Sequence, residues 1–355
     1  MLRWILLSSA WVASCVTAAA SVAPRSAGAA QVERRLAAMG TWFDLAVRDR
    51  DREHALAASE RAVRAVEAVE ARLSTWREDS ELSQLNHAPV GTAVELTEEL
   101  AADLERARRY WRATEGAFDP GLGALVAAWG LRTGGRQPSA EELAAARAVG
   151  GFAAFELDGR RAVRLQPLAA IEEGGFGKGI ALDAALAALR DSGVTEAELD
   201  LGGQLAVLGA PCTSALADPR DRARAVLELS VPAGSLATSG NSEHGILVAG
   251  VHRGHLLDPR TGEPADDFGS LSVWAADATA ADCLSKLFVL GPEGALRWQA
   301  AHPEVELIVI EARGDRLLAR ATSGWRGRLR PLVPDLELSF VTEGSLPIPS
   351  LPVPR

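Results

Sequence analysis

The sequence predicts one continuous α+β domain. Apolar spacing and helix-capping signals predict helices before residue 151, whereas short β segments joined by turns dominate from residue 153 onwards. No long linker divides the chain, and we find no internal repeat. A chain of 355 residues is long enough to bury one large core.

The first part of the chain is predicted to hold one strand and three helices. The strand is expected over residues 36–47. Ser139, with Glu142 three residues later, forms the capping-box pattern at the start of the last helix. The three helices are expected over residues 52–73, which is amphipathic, 97–114 and 138–151.

The rest of the chain is predicted to be mainly β structure. Short strands are expected within 153–171, with a turn at Asp158-Gly159, and a glycine-rich loop then leads into a helix that ends near residue 191. Residues 197–209 indicate two strands joined by a Gly-Gly turn. Further strands are expected over 225–230, 235–238, 245–250, 253–258, 270–275 and 304–310, and further helices over 279–288 and 292–301.

The charge of the chain limits the classes of partner. The formal net charge is −10, which disfavours a nucleic-acid-binding role because phosphate contacts need a basic surface. Lys178 and Lys286 are the only lysines, and arginine supplies every other basic side chain apart from histidine. Lysine is a compact point charge and arginine a planar fork, so a retained lysine suggests a role that arginine cannot fill.

The N-terminus carries the pattern of a bacterial lipoprotein signal. A short apolar run, too short to span a bilayer, ends in Val12-Ala13-Ser14-Cys15, in which an aliphatic and two small residues precede a cysteine. We expect residues 1–14 to be a signal peptide and Cys15 to carry lipid. The protein would then be exported and lipid-anchored on the periplasmic face of a bacterial membrane. A secretory signal cut near residues 18–20 and an unprocessed helix are the alternatives.

Composition also suggests the domain limits. Residues 15–31 are expected to be a tether, residues 32–341 the folded domain and residues 342–355 a disordered proline-rich tail. Beyond Cys15, the chain contains Cys212 and Cys283. An exported compartment permits a disulfide, and the sequence leaves their pairing open.

The glycine-rich loop is the first candidate site. Lys178 lies among Gly174, Gly175, Gly177 and Gly179, just before the predicted helix. Glycines allow backbone N–H groups to approach a phosphate, a helix N-terminus adds positive potential, and the lysine adds a full charge. The spacing matches neither a P-loop nor a dinucleotide-binding fingerprint. A tight turn with a surface lysine is an equal alternative.

Two further segments could carry chemistry. His255, at the end of a predicted strand and just before a DPRTG turn, is either a general base or a structural histidine. Asp282, Ser285 and Lys286 fall at positions i, i+3 and i+4 of a predicted helix, and therefore on one face. The carboxylate and the hydroxyl could contribute to a hard-metal site, whereas the lysine favours a solvated helix face.

Eight segments of the chain resemble, in the same order, those of the FAD:protein FMN transferases, the ApbE-like flavin transferases. The match extends over roughly residues 36–312, which is most of the mature chain. Each segment is moderately specific, and their shared order is strongly specific for the family. The segments are MGTWFDL (39–45), RLSTWREDSELSQLN (72–86), GAFDPGLGALVAAWG (116–130), EEGGFGKGIALD (172–183), LDLGGQLAVLG (199–209), LATSGN (236–241), HLLDPRTG (255–262) and ADCLSKLFVLG (281–291).

The resemblance implies a single T-fold-like α+β domain, with mixed sheets, flanking helices and FAD in a cleft. Metal-bound FAD, with Mg²⁺ as the expected ion, would be split at its pyrophosphate. FMN would pass to a threonine or serine hydroxyl of a partner protein, and AMP would leave. Some relatives instead hydrolyse FAD to FMN and AMP.

The resemblance also implies roles for individual residues. Met39 and Trp76 would pack on the flavin or adenine. Glu172, where the family usually has aspartate, would touch FAD, and His255 would be the base for the incoming hydroxyl. The nucleotide pocket would be lined by Ala117, Phe118 and Asp119.

The same resemblance places the phosphates and the metal. Lys178 would lie near the phosphates and act in catalysis. The metal would be held by Asp282, by Ser285 and by a backbone carbonyl near Gly175.

Two departures from the family pattern bear on activity. Lys286 stands where the metal helix usually has threonine or aspartate, and Asn241 replaces the acid of a TSGD motif. Lys286 could replace the charge of a metal. Two alternatives to a transferase therefore stay open, namely a flavin-binding lipoprotein with degenerate catalysis and a metal-dependent FAD pyrophosphatase.

Overall fold

The computed structural model describes residues 30–241, 245–248 and 251–341. Cys15, the predicted signal peptide and the predicted tail at 342–355 lie outside these residues, as do residues 249 and 250 of one predicted strand. The helices are α1 (Arg52–Leu73), α2 (Glu81–His87), α3 (Glu98–Ala113), α4 (Gly123–Ala128), α5 (Ala140–Ala148), α6 (Gly177–Asp191), α7 (Ala278–Ser285) and α8 (Gly291–Ala300). The strands are β1 (Ala30–Ala38), β2 (Thr41–Asp49), β3 (Ala93–Glu95), β4 (Phe155–Asp158), β5 (Arg161–Arg164), β6 (Glu196–Leu201), β7 (Gln204–Leu208), β8 (Cys212–Asp218), β9 (Asp221–Val231), β10 (Gly234–Gly240), β11 (Gly245–Val248), β12 (Val251–Gly254), β13 (Gly269–Ala275), β14 (Glu306–Arg313), β15 (Arg316–Ala321), β16 (Leu329–Pro331) and β17 (Leu336–Phe340).

A nine-stranded sheet organises the domain, in the order β1-β2-β6-β7-β10-β13-β14-β15-β17. Neighbouring strands are antiparallel except β15 and β17, which are parallel. Smaller sheets are formed by β16-β9-β8, by β3-β5-β4 and by β11-β12. Helices flank this mixed set of sheets, so the predicted α+β class is confirmed.

The main core lies between the large sheet and helices α1 and α6. Phe43, Leu45 and Val47 of β2 are buried and alternate with less buried residues, as expected for a strand with one face on the core. They belong to one apolar cluster with Val66 of α1 and Leu182 of α6. Burying each such side chain contributes about 1.5–3 kcal/mol. This packing fixes α6, which begins within the glycine-rich loop.

The predicted single strand over 36–47 is wrong, because a tight turn divides it. β1 and β2 are joined through Met39 and Gly40, which have φ of 49° and 71°. Two successive residues with positive φ are typical of the type I′ turn in a two-residue hairpin. Gly40 is the usual residue at the second position of such a turn, but Met39 replaces the Asn, Asp or Gly that is usual at the first.

Most other predicted elements are close to the observed ones. The helices predicted over 52–73, 97–114 and 138–151 are confirmed as α1, α3 and α5. At the start of α5 the Ser139 hydroxyl accepts the Glu142 N–H at 3.1 Å, and the Glu142 carboxylate accepts the Ser139 N–H at 2.8 Å. The predicted capping box is therefore present.

Several boundaries differ from the predictions. β1 begins at Ala30, so residues 30 and 31 belong to the sheet and not to the predicted tether. The helix predicted over 279–288 is α-helical only to Ser285 and then continues as a 3₁₀ turn. The strand predicted over 253–258 ends at Gly254, which places His255 in the segment that follows.

Cys212 and Cys283 are both buried and free, so they do not form a disulfide with each other. Within the described ranges, none of the helices is long and apolar enough to cross a membrane.

Candidate active site

A cleft of about 790 Å³ collects residues from distant parts of the chain. Its volume is within the range of roughly 300–1,000 Å³ that is usual for small-molecule sites. Nine of the predicted site residues line it, namely Met39, Trp76, Ala117, Phe118, Asp119, Glu172, Gly175, Lys178 and His255. Asp282 and Ser285 do not line it. They are buried, whereas Lys286 reaches the cleft.

The glycine-rich loop allows α6 to pack closely against α7. A Cβ on Gly179 would lie only 2.4 Å from the carbonyl oxygen of Ala278, so a larger residue would separate the helices. The N–H of Gly179 donates to Oδ2 of Asp282 at 3.0 Å. This backbone amide therefore binds a protein carboxylate, while the neighbouring Lys178 lines the cleft.

Asp183 of α6 fixes the start of α7. Its Oδ1 accepts the N–H of Ala278 at 2.7 Å, and its Oδ2 accepts the N–H of Thr279 at 3.0 Å. These belong to the first N–H groups of a helix, which have no partner within the helix itself. Arg106 of α3 forms an ion pair with Asp183. Three helices are thus tied together beside the cleft.

Lys286 occupies the centre of the predicted metal site. Its ammonium donates to Oδ1 of Asp282 at 2.9 Å, to the carbonyl oxygen of Asp282 at 3.0 Å and to Oγ of Ser285 at 3.0 Å. A Cβ built on Gly175 would lie 3.7 Å from Cε of Lys286. One lysine side chain therefore contacts or approaches all three of the predicted metal ligands.

The charge state of Asp282 follows from its neighbours. Burial alone raises the pKa of the Asp282 carboxyl. The charges of Lys286 and Lys178, together with hydrogen bonds from Lys286 and Gly179, outweigh burial and hold this pKa below its ordinary value of 3.8. Asp282 is consequently ionised at neutral pH, buried and paired.

This donor set does not fit a divalent cation while Lys286 lies in it. Both carboxylate oxygens of Asp282 already have protein donors. The Ser285 hydroxyl donates to the Asp282 carbonyl at 2.8 Å, and it accepts from Ser239 at 2.8 Å and from Lys286. A hydroxyl has one donor and two acceptor positions, so all are used. Over the described ranges, no cluster of three or more His, Cys, Asp or Glu side chains could hold a metal. The magnesium site therefore stays a prediction.

Met39 reaches the cleft from a strained turn. Its φ of 49° is in the left-handed region, which costs a non-glycine residue on the order of 1–3 kcal/mol. A Cβ on Gly177 would lie 3.2 Å from Cε of Met39, so the methionine packs directly against the glycine-rich loop. The hairpin thus brings one wall of the cleft onto the start of α6.

Trp76 is held at the cleft by an arginine. The Trp76 side chain is 71% exposed, and the guanidinium carbon of Arg132 lies 4.7 Å from its ring centroid. Arg132 also pairs with Glu172 and donates to the carbonyl oxygen of Thr75 at 3.1 Å. Burial raises the pKa of Glu172 and outweighs the opposing effect of Arg132. Arg132 therefore connects two of the predicted FAD contacts.

Asp119 is a partly buried carboxyl in the cleft wall. Its Oδ1 accepts the N–H of Gly121 at 2.6 Å and the N–H of Phe152 at 2.9 Å. Burial is the dominant effect and raises the pKa of Asp119 to about 6. Asp119 thus orders the segment before α4 and can change its charge in mildly acidic solution.

His255 follows β12 and lines the cleft beside Leu256. The DPRTG segment after it is a tight turn, in which the N–H of Gly262 donates to the carbonyl oxygen of Asp258 at 2.7 Å. Arg260 pairs with the Asp258 carboxylate at 2.6 Å. The turn prediction is confirmed, and the role of His255 as a base stays a prediction.

Sequence reasoning assigned no role to Arg132 or Ser239, although both contact predicted site residues. Arg132 lies outside the motifs, so the sequence carried no signal for it. Ser239 belongs to the LATSGN segment, which marked the family without indicating a function for the serine.

Comparisons with known proteins identify the family. A family model described as the ApbE family matches residues 39–309. A Vibrio cholerae protein named FAD:protein FMN transferase is 28% identical over 274 residues, which cover 74% of this chain and 82% of that protein. A Treponema pallidum protein of the same name is 32% identical over 284 residues, covering 73% of this chain and 78% of that protein.

Solved structures show the same fold. The structure of the flavin transferase ApbE from Vibrio cholerae has a TM-score of 0.74 at 24% identity, covering 84% of this chain and 99% of that one. The ApbE protein from Thermotoga maritima has a TM-score of 0.73 at 27% identity, covering 79% of this chain and 94% of that one. Because the family model spans most of the sequence and includes the residues of the cleft, the chain belongs to the ApbE family.

Proposed function

We propose that this chain is an FAD:protein FMN transferase, which moves FMN from FAD to a threonine or serine hydroxyl of a partner protein and releases AMP. The observation that carries this proposal is the single cleft lined by Lys178, Lys286 and His255 together with apolar and aromatic side chains. Relatives named for this activity align with the chain over most of their length, which supports the proposal.

The cleft offers different surfaces to the two kinds of group in FAD. Met39 and Trp76 present apolar and aromatic area to flat rings. Lys178 can donate a charge-assisted hydrogen bond to the pyrophosphate, and Lys286 adds positive charge beside it.

The proposed reaction is a phosphoryl transfer. The acceptor hydroxyl oxygen forms a bond to the phosphorus of the FMN half, while the bond from that phosphorus to the bridging oxygen breaks. The bridging oxygen leaves as part of AMP. His255 takes the hydroxyl proton, since a neutral imidazole can accept a proton near neutral pH. The two lysines offset the charge that develops on the bridging oxygen.

Magnesium stays an expectation from the family resemblance. A bound ion would add positive charge at the pyrophosphate. Asp282 and Ser285, the side chains expected to hold it, contact Lys286 instead. We therefore propose the transfer with no ligand set assigned to the ion.

We also propose a location for the enzyme. Cys15, which lies outside the described residues, would carry lipid and hold the exported domain on the periplasmic face of a bacterial membrane. The motivation is the Val12-Ala13-Ser14-Cys15 pattern behind an apolar run.

One assay separates this function from its rivals. Purified protein is incubated with FAD, Mg²⁺ and a candidate acceptor, then mass spectrometry detects FMN attachment and chromatography detects AMP. Attachment with release of AMP is the expected result. Free FMN and AMP without attachment would identify a pyrophosphatase, and intact bound FAD would identify a flavin-binding protein. His255→Ala should lose attachment while still binding FAD.

A further inference from the structure

We propose that Lys286 is a resident cation that takes the place of a divalent metal ion, so that the cleft binds and activates the FAD pyrophosphate without bound metal. This inference rests on the proposed function for its chemistry. Its geometric basis is independent, because it comes from the contacts of one side chain among the described residues.

The first observation is the position of the ammonium. Nζ of Lys286 lies within 3.0 Å of oxygen atoms of Asp282 and Ser285, and its Cε approaches Gly175. These are the residues that the family resemblance assigns to the metal. An ammonium has three N–H donors, and the three protein oxygens match that number. The ammonium of Lys286 thus fills the predicted metal position and binds side-chain and backbone oxygens of the residues expected to hold the metal.

The second observation is the order of the groups from the interior to the cleft. The Asp282 side chain is 2% exposed and the Lys286 side chain 18% exposed. Lys286 lines the cleft and Asp282 does not. The carboxylate therefore lies behind the ammonium and holds it, and the positive charge is the part of the pair that a ligand in the cleft meets.

The third observation is that residues other than Lys286 hold Asp282 and Ser285 in place. The N–H of Gly179 holds Oδ2 of Asp282, and Ser239 holds the Ser285 hydroxyl. Asp282, Ser239 and Ser285 are then positioning residues for Lys286. Both carboxylate oxygens of Asp282 have donors while the ammonium is in place, so a divalent cation could bind the carboxylate only by displacing Lys286.

The test uses the full chain and three variants, with FAD binding and Mn²⁺ binding as readouts besides activity. Lys286→Thr removes the charge and adds an oxygen, the ligand type that Mg²⁺ prefers. Lys286→Met removes the charge but keeps an unbranched side chain. Arg190→Thr, an exposed basic residue at the end of α6, is the matched control.

The wild type should bind FAD equally in EDTA and in Mg²⁺, and should release AMP in both. Lys286→Thr and Lys286→Met should bind FAD about tenfold or more weakly in EDTA, because the positive charge beside the pyrophosphate is lost. Mg²⁺ should restore FAD binding to Lys286→Thr only. Electron paramagnetic resonance should show Mn²⁺ bound to Lys286→Thr and not to the wild type or Arg190→Thr.

Two results would overturn the proposal. One is a wild-type protein that binds Mn²⁺ at this site and needs Mg²⁺ to bind FAD, and the other is a Lys286→Met protein that binds FAD in EDTA as tightly as the wild type. If the proposed function is wrong, no FMN transfer occurs under any condition. The binding of FAD and Mn²⁺ to the wild type and the variants then still decides the role of Lys286.

Discussion

Nζ of Lys286 lies 2.9 Å from Oδ1 of Asp282, one helical turn earlier in the chain, and only the lysine of this pair reaches the cleft. Residues four apart lie on the same helical face, so the sequence spacing makes the contact possible. Packing of α7 on α6 buries the carboxylate and turns the pair towards the glycine-rich loop. An ion pair thus stands where the family resemblance expects a metal and its ligands.

The first prediction concerns Lys178 and the pyrophosphate. Lys178→Ala should weaken FAD binding by roughly 1–3 kcal/mol, the range for losing a charge-assisted contact. FMN, which offers only a monophosphate, should bind to the wild type more weakly than FAD does. Lys178→Ala should also reduce the affinity for FMN less than the affinity for FAD. Fluorescence titration of both flavins checks this, and equal wild-type affinities for FAD and FMN would contradict a pyrophosphate site.

The second prediction concerns the stability of the ion pair. Lys286→Met should lower the free energy of unfolding by about 3–5 kcal/mol, because it leaves the buried Asp282 carboxylate without its cation. Adding Asp282→Asn to that variant should recover part of the loss, since no buried charge is then unpaired. Urea unfolding of the wild type, Lys286→Met, Asp282→Asn and the double variant forms a complete cycle. If the two substitutions change the free energy of unfolding in a strictly additive way, Lys286 and Asp282 are not coupled.

The third prediction is a pH dependence at Asp119. The folded-state pKa is raised from 3.8 to about 6, so the folded protein binds this proton more tightly than the unfolded chain. The contribution of Asp119 to stability is therefore greatest below pH 4 and falls as the pH rises to 6. The total fall is at most roughly 3 kcal/mol, because a difference of one pH unit between the folded and unfolded pKa values corresponds to about 1.36 kcal/mol.

Urea unfolding of the wild type and Asp119→Asn between pH 4 and 7 measures this contribution. The wild type should lose stability relative to the variant across that interval. A difference between the two proteins that does not change with pH would contradict the raised pKa.

The fourth prediction concerns Arg132 as a positioning residue. Arg132→Met removes the guanidinium from the face of Trp76 and the partner from Glu172. The cation–π contact contributes about 0.5–1 kcal/mol at an exposed site, so FAD binding should weaken by a few-fold at most. The emission of Trp76 should change in the unbound protein. The control is Trp76→Phe with and without Arg132→Met, in which this change should disappear.

The fifth prediction concerns the lipid on Cys15. The native protein should sediment with membranes, and Cys15→Ala should release it or leave the precursor uncleaved, since several lipid chains are needed for firm anchoring. Fractionation and gel mobility measure this. A Cys15→Ala protein that fractionates and migrates like the wild type would rule out lipidation at this residue.

The sequence predicted the parts of the fold that depend on local pattern. Helix α1 and the capped start of α5 follow from apolar spacing and from Ser139 and Glu142. The hairpin turn at Met39 was missed, because a methionine with positive φ is stabilised by tertiary packing and not by local preference. Strands β15 and β17 were also missed, since their pairing depends on contacts between separate segments.

The candidate site was predicted as a set of residues but not as a geometry. The retained Lys178 and Lys286 marked two positions where the cleft has positive charge. The sequence could place Lys286 beside Asp282, but only the packing shows that the carboxylate is buried and the ammonium faces the cleft. Arg132 acts through space on Trp76 from 56 positions further along the chain, and no local pattern could reveal that contact.

The most direct test of the account is the intact mass of a candidate acceptor protein after incubation with this enzyme and FAD, measured once with Mg²⁺ and once with EDTA. We expect one FMN added to each acceptor and one AMP released for each FMN, under both conditions. The proposed transfer would be contradicted by an acceptor whose mass never changes while FAD stays intact or is hydrolysed. Attachment that occurs with Mg²⁺ and is abolished by EDTA would support the transferase and contradict the role assigned to Lys286.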